Sequence, residues 1–73
     1  MNNHVKMDLE NIFSYHPVKG DQVQRYDSNQ AACLLAAQFI DQNCPDSPEK
    51  TLAIRKLQEA MFYANAAIAV NEQ

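Results

Sequence analysis

The amino-acid sequence predicts an all-α fold: a short N-terminal arm or helix followed by an antiparallel helical hairpin that assembles into a homo-oligomer. Two long segments carry apolar residues at alternating spacings of three and four, which is the period of a helix. A compact Pro-Asp-Ser-Pro break separates them, so the two helices are expected to pack antiparallel. Both segments carry more apolar surface than a single helix pair covers, and further copies of the chain are expected to cover the rest.

The chain has 73 residues, which is enough for one small domain. We divide it into a flexible N-terminus at residues 1–8, which is polar and unpatterned, and a single helical-hairpin domain at residues 9–73. A chain of this length has difficulty burying enough apolar surface alone. Cys33 and Cys44 lie eleven positions apart on one predicted helix, roughly 16 Å at helical rise, too far to bridge. They are interpreted as buried thiols in a reducing compartment, and oligomerisation is the expected support.

The arm and the start of the first long helix occupy residues 9–26. Residues 9–16 are expected to form one helical turn with Leu9, Ile12 and Phe13 on one side, lying across the hairpin. Further along, Pro17 biases the preceding residue towards extended backbone. The only glycine of the chain follows, and Asp21 is placed to cap or charge the first helical turn.

The two long helices are predicted at residues 21–42 and 48–70. In the first helix the residues at helical spacing are Val23, Tyr26, Gln30, Cys33, Ala37, Ile40 and Cys44. In the second helix they are Ile54, Leu57, Met61, Ala64 and Ile68. Between the helices, Ser47 is a favourable N-cap and Pro48 fits the first helical position.

Charge and composition exclude several classes of function. The net charge of −3 argues against binding to a DNA or RNA polymer, and no apolar run has the length of a membrane span. The first residues have no apolar signal-peptide core, so a cytosolic protein is expected. The carboxylates are dispersed, and neither histidine adjoins a nucleophile or forms a metal-ligand pattern with the cysteines. We therefore expect no enzyme activity, no metal and no cofactor.

Cationic side chains beside aromatic rings occur once, near the start of the first long helix. Lys19 and Arg25 lie close in sequence to Tyr15 and Tyr26. An aromatic ring, cations and a helix N-terminus close together suit a flat, anionic ligand. The residues alone favour a hinge whose tyrosine packs on the hairpin, with Arg25 paired to Asp21 four residues earlier.

A second cationic cluster lies in the early turns of the second helix. It comprises Lys50, Arg55 and Lys56. We interpret it as a solvated helix face, with Glu59 pairing Arg55 at a spacing of four.

Three runs of sequence together resemble a known family. They are FSYHPVKGDQVQRY from Phe13, CPDSPEKTLAIRKL from Cys44 and EAMFYANAAIA from Glu59. The combined pattern, covering roughly residues 12–72, resembles the small phage anti-CBASS sponge proteins, whose helical hairpin is shared with a class of Thoeris anti-defence proteins.

The resemblance implies a helical hexamer without catalysis. Such proteins bind cyclic dinucleotides, and in some members cyclic trinucleotides, between protomers in the cytoplasm of the infected bacterium, and so keep a CBASS messenger from its effector. Two alternatives stay open: a small helical adaptor that binds a host protein, and a sponge for a Thoeris messenger of the cyclic ADP-ribose type.

The resemblance also implies which residues bind the ligand. Tyr15 matches the family aromatic that stacks on a base. The surroundings of Lys19 and Arg25 match as well. Gln30 stands where many relatives carry a cation that faces phosphate, and Val70 stands where many carry an arginine. The full set of expected ligand-binding residues is Tyr15, His16, Lys19, Arg25, Tyr26, Gln30 and Asn65.

Overall fold

The structure is a computed structural model that describes residues 7–72. It contains three helices, α1 at Leu9–Ile12, α2 at Gln22–Asn43 and α3 at Pro48–Asn71, with no strand among the described residues. The all-α prediction is therefore confirmed, and α2 and α3 pack as a hairpin. The predicted ends of the two long helices agree with the observed ones to within one residue, whereas the helical turn expected over residues 9–16 ends at Ile12. Most of the terminus predicted to be flexible, residues 1–6, lies outside the described residues.

Polar contacts attach the arm to the open end of the hairpin, where α2 begins and α3 ends. Asp8 begins α1, and its carboxylate accepts a hydrogen bond from the backbone N–H of Asn11 at 3.1 Å. The side-chain amide of Asn11 donates to the carbonyl of Val70 at 3.0 Å, in the last turn of α3. The apolar residues predicted to share one side of the arm are all exposed, and Phe13 is 83% exposed. Polar contacts therefore contribute to holding the arm against α3.

Helix α2 begins after a left-handed glycine. Gly20 has a φ of 58°. This conformation is unfavourable for residues that carry a side chain, but not for glycine. Asp21 occupies the N-cap position of α2, as expected, but its side chain makes no capping hydrogen bond. The carboxylate instead accepts a hydrogen bond from Nε of Arg25 at 3.1 Å. The local pair expected between these two residues is thus present.

The turn between the long helices has the predicted cap. The hydroxyl of Ser47 accepts a hydrogen bond from the backbone N–H of Lys50 at 3.1 Å, and Pro48 occupies the first turn of α3. The interpretation of Lys50 as part of a solvated face is wrong. Its ammonium lies 2.9 Å from Asp41 and 2.8 Å from Asp46, and its side chain is only 9% exposed. This contact joins the end of α2 to the start of α3.

The remaining cations of this cluster also pair differently from the prediction. Arg55 donates to the side chain of Gln58, and it is Lys56 that pairs with Glu59. All these residues are exposed. Both are short-range contacts on one helix face, of the kind that contributes little to stability.

The described residues contain no buried apolar side chain. Large apolar groups of both long helices stay more than half exposed, among them Leu34, Leu35, Phe39 and Phe62. The prediction that Cys44 is buried is wrong in this single chain, because α2 ends at Asn43 and the thiol follows it on extended backbone. The hairpin thus has the surplus apolar surface that the sequence predicts.

Part of this surface lines an open groove of about 710 Å³ between α2 and α3. Its apolar lining comprises Ala31, Cys33, Leu34, Ala37, Ile54 and Met61. Grooves of this size and character are what a further helix covers in an assembled bundle.

Candidate functional site

The open end of the hairpin brings together the arm, the start of α2 and the end of α3. A cleft of about 250 Å³ lies there. It is lined by Tyr15, His16, Pro17, Val18, Lys19, Gln22, Ala69 and Glu72. The antiparallel packing of the helices causes this meeting, since it places the first turn of α2 beside the last turn of α3. We call this space the terminal cleft.

Tyr15 presents its ring to solvent at the mouth of the terminal cleft. The residue is 86% exposed, on the backbone that leads to Pro17. Next to it, Nε2 of His16 lies 2.7 Å from the carbonyl oxygen of Asn11 and donates a hydrogen bond to it. This contact fastens the cleft wall to the arm. The ring of Tyr15 has a free face for stacking, which is the requirement for holding a base.

Arg25 is held by two carboxylates at the edge of the terminal cleft. Its Nη2 lies 2.5 Å from Oε1 of Glu72 and 3.1 Å from Oδ1 of Asp21, and its Nη1 donates to Oε2 of Glu72 at 2.7 Å. The contact with Glu72 is a bidentate pair, the geometry that a guanidinium makes with carboxylate or phosphate. The hydrogen bond from Arg25 is the largest cause that lowers the pKa of Glu72, from 4.5 to about 2. The same contact raises the pKa of Arg25.

Gln22 is a site residue that the sequence did not reveal. It is 4% exposed, and it is the one buried residue among those that the structure describes. Its amide Nε2 donates to the backbone carbonyl of Glu72 at 3.3 Å and to the carboxylate at 3.5 Å. Its Oε1 accepts from the backbone N–H of Lys19 at 3.1 Å. One amide thus connects the cleft wall, the first turn of α2 and the end of α3.

A second cleft, of about 390 Å³, lies one turn further along the hairpin. It is lined by Tyr26, Gln30, Asn65, Ala66 and Ala69, none of which carries a charge. We call it the amide cleft. Beside it, Nδ2 of Asn29 donates to Oδ1 of Asn65 at 3.0 Å, which orients that amide across the two helices. The cleft offers hydrogen-bonding groups and a ring, and so suits the uncharged parts of a ligand.

The structure separates the predicted ligand-binding residues into two groups. Tyr15, His16 and Lys19 line the terminal cleft, whereas Tyr26, Gln30 and Asn65 line the amide cleft. Arg25 lines neither and reaches the terminal cleft through its pair with Glu72. Position along the helix contributes to the division: Gln22 begins α2 at the terminal cleft, and Tyr26 and Gln30 follow it one and two turns later at spacings of four.

The described part of the chain contains neither a cluster of metal-ligating side chains nor a membrane-spanning helix. Residues 7–72 contain no group of three or more His, Cys, Asp or Glu side chains that could hold a metal ion. Within the same residues, no helix is both long and apolar enough to cross a membrane.

Fold and clefts together define a small helical-hairpin protein with polar sites at its open end. The sequence model of the Acb2/Tad1 hairpin domain matches residues 6–69, which is nearly the whole chain, and the protein belongs to this family. The resemblance found in the sequence is thereby confirmed. The family is known for an anti-defence sponge function and is not a catalytic family. Comparisons with curated proteins and with solved structures found no match.

Proposed function

We propose that the protein is a phage-encoded sponge that binds cyclic nucleotide second messengers, cyclic dinucleotides and cyclic trinucleotides, and so blocks CBASS signalling without catalysis. The observation that carries the proposal is the exposed ring of Tyr15 beside Lys19 at the terminal cleft of a sponge-family hairpin. The mechanism is mass action: each bound messenger is withheld from its effector, so affinity and stoichiometry decide the outcome. The place of action is the cytoplasm of the infected bacterium, where the messenger is made.

The two clefts suit different parts of a cyclic nucleotide. In the terminal cleft, Tyr15 stacks on a base while Lys19 and Arg25 face phosphate, and His16 holds the cleft wall to the arm. In the amide cleft, Gln30 and the other lining side chains hydrogen-bond to base edges or ribose hydroxyls. A neighbouring subunit closes these clefts, since each is open on one side of the single chain.

We propose that residues 9–73 act as one domain and assemble into a homo-oligomer, with the hexamer that the resemblance implies. The support is the absence of any buried apolar side chain in residues 7–72, together with the open groove between α2 and α3. Sedimentation velocity or mass photometry tests this. An 8.3 kDa species at micromolar concentration would overturn it.

Isothermal titration against a panel of cyclic dinucleotides and cyclic trinucleotides tests the function. We expect saturable binding to at least one of them, and Tyr15→Ala is expected to weaken it while the oligomer stays intact. Tyr63→Ala is the matched control, because Tyr63 is 75% exposed and lines neither cleft. Absence of binding to every ligand of the panel at about 50 µM would reject the proposal.

A messenger of the cyclic ADP-ribose type is the second candidate, because the matching family covers Tad1 as well as Acb2. Including such a compound in the panel separates the two. If none of these ligands binds the protein or raises its melting temperature, the protein would be an adaptor for a protein partner.

A further inference from the structure

We propose that the carboxylate of Glu72 is a built-in competitor: it occupies the position of a ligand phosphate between Lys19, Gln22 and Arg25, and an anionic ligand must displace it. The inference rests on the proposed function, because it concerns the same terminal cleft. The proposed function names residues that raise the affinity for the ligand, and Glu72 is a residue that lowers it.

The contacts of Glu72 are those of a bound anion. Both carboxylate oxygens accept from the guanidinium of Arg25, at 2.5 and 2.7 Å, and Oε1 also lies 3.5 Å from the amide of Gln22. A guanidinium binds carboxylate and phosphate with the same two-pronged geometry, so either anion fits this position. While Glu72 is in place, the fork of Arg25 that faces the cleft is taken.

Position makes the competition direct. Glu72 and Gln22 line the same cleft as Tyr15 and Lys19. A nucleotide whose base stacks on Tyr15 brings its phosphates to the cationic side of this small space, which the carboxylate already occupies. The ligand phosphate and the carboxylate of Glu72 repel each other within this cleft, and only one of the two anions can pair with Arg25.

The charge balance of the terminal cleft points the same way. Lys19 and Arg25 are cations, and Asp21 and Glu72 are anions, so the cluster is neutral in the free chain. Removal of Glu72 from the cluster leaves a net positive charge, which attracts phosphate. The pKa of Glu72 is lowered to about 2, chiefly by Arg25 and to a smaller extent by Lys19. The group is therefore ionised at physiological pH, and a ligand displaces it by competition rather than by its protonation.

Displacement requires no unfolding of α3. Glu72 is the C-cap residue, and its backbone N–H bonds to the carbonyl of Ile68 at 3.1 Å independently of the side chain. The backbone carbonyl keeps its own hydrogen bond from Gln22. Rotation of the side chain thus releases Arg25 while the helix end stays in place.

The test compares the full-length protein with Glu72→Gln and Glu59→Gln by titration with 3′,3′-cyclic GMP–AMP. Glu72→Gln is expected to bind about three- to ten-fold more tightly, since it loses a like charge and a competing ion pair. Glu59→Gln makes the same change in net charge, but its carboxylate pairs with Lys56 on an exposed face of α3. At physiological ionic strength, screening should hold its effect to less than about two-fold.

Equal tightening in both variants would assign the effect to overall charge and overturn the proposal. Unchanged or weaker binding by Glu72→Gln would overturn it as well, since Glu72 would then orient Arg25 for the ligand. Melting temperatures and particle masses of the ligand-free variants check the fold, and Glu72→Ala serves as a second removal of the carboxylate. Glu72→Ala and Glu72→Gln should both bind the ligand more tightly, because each removes the competing carboxylate.

A titration with inorganic pyrophosphate separates this inference from the proposed function. If no variant binds any cyclic nucleotide, the sponge function fails. Tighter pyrophosphate binding by Glu72→Gln than by the unchanged protein would still support the competitor, and equal binding would overturn it.

Discussion

The two ends of the hairpin each hold one cation between two carboxylates, yet they are built differently. At the turn, Lys50 lies between Asp41 and Asp46 with its side chain 9% exposed. At the open end, Arg25 lies between Asp21 and Glu72 with its side chain 39% exposed. The turn contacts join residues close in sequence, whereas Arg25 and Glu72 are 47 residues apart. The first cluster closes a connection, and the second forms only when the whole hairpin has folded.

The two clusters also differ in net charge and in what lies beside them. The turn cluster has one cation for two carboxylates, so it repels an anionic ligand. The open end adds Lys19 to its cluster and places it beside an exposed aromatic ring. Ligand binding and structural closure are therefore expected to reside at opposite ends of the same small domain. Substitutions at one end should leave the property of the other unchanged.

Tyr15→Ala should have the largest effect, and on ligand binding alone. Loss of one base–aromatic stack is worth about 1–3 kcal/mol, which corresponds to a roughly 5- to 150-fold weaker affinity for the best ligand of the panel. Because the ring is exposed in the free chain, the melting temperature should stay unchanged. Titration and thermal melting of one preparation provide both readouts. A fall in melting temperature with unchanged affinity would make Tyr15 a packing residue.

Gly20→Ala should destabilise the open end. The left-handed φ of 58° is costly for a residue with a side chain, by about 1–2 kcal/mol, and nothing lies within 4 Å of the added methyl group. The loss is therefore one of backbone conformation and not of space. Gly20→Asn is the matched comparison, because asparagine tolerates this conformation better and should recover part of the stability. Equal melting temperatures for the glycine and alanine proteins would contradict the conformational argument.

Ser47→Ala should destabilise the turn end by about 1 kcal/mol, because it removes the hydroxyl that caps α3. Affinity for the ligand should stay unchanged, since Ser47 is at the opposite end of the hairpin. Ser28→Ala is the control, being an exposed serine inside α2 without a capping role. Weaker ligand binding by Ser47→Ala would show that the two ends are coupled.

The sequence predicts the turn end better than the open end, for a physical reason. Ser47 and Pro48 act within one turn of helix, so residue types at fixed spacing are sufficient to place them. The contact of Lys50 with Asp41 was missed because it depends on how the two helices meet. The surplus apolar surface was predictable, since periodicity alone counts the stripes on each helix.

At the open end, the antiparallel arrangement predicts that the arm and both helix ends meet, but not which side chains touch. Gln22 was missed because glutamine in a first helical turn is ordinarily exposed, and its burial here comes from the distant end of α3. The partner of Arg25 was expected to be Asp21 alone, whereas Glu72 makes the bidentate contact. The spacing of Tyr26 and Gln30 did carry a signal that they share a face apart from Arg25.

Acid titration should give the smallest of these effects on stability. The carboxylates of Glu72 and Asp46 are both at least partly exposed, and exposed ion pairs contribute little. The pKa of Glu72 is lowered from 4.5 to about 2 by Arg25, so its stabilising contribution is complete above pH 4.5 and is lost as the pH falls towards 2. Lys50 lowers the pKa of Asp46 in the same direction. Melting temperatures measured across this range should therefore fall less steeply for Glu72→Gln and for Asp46→Asn than for the unchanged protein.

The two substitutions should differ in what else they change. Asp46→Asn weakens only the contact between neighbouring residues at the turn, so ligand affinity at neutral pH should stay as it was. Glu72→Gln removes a contact across 47 residues of chain and frees Arg25, so it should alter stability in acid and affinity at neutral pH together. A Glu72→Gln protein with the same acid profile as the unchanged protein would mean that the pair with Arg25 does not form in solution. The open end would then be left without the contact that makes it differ from the turn.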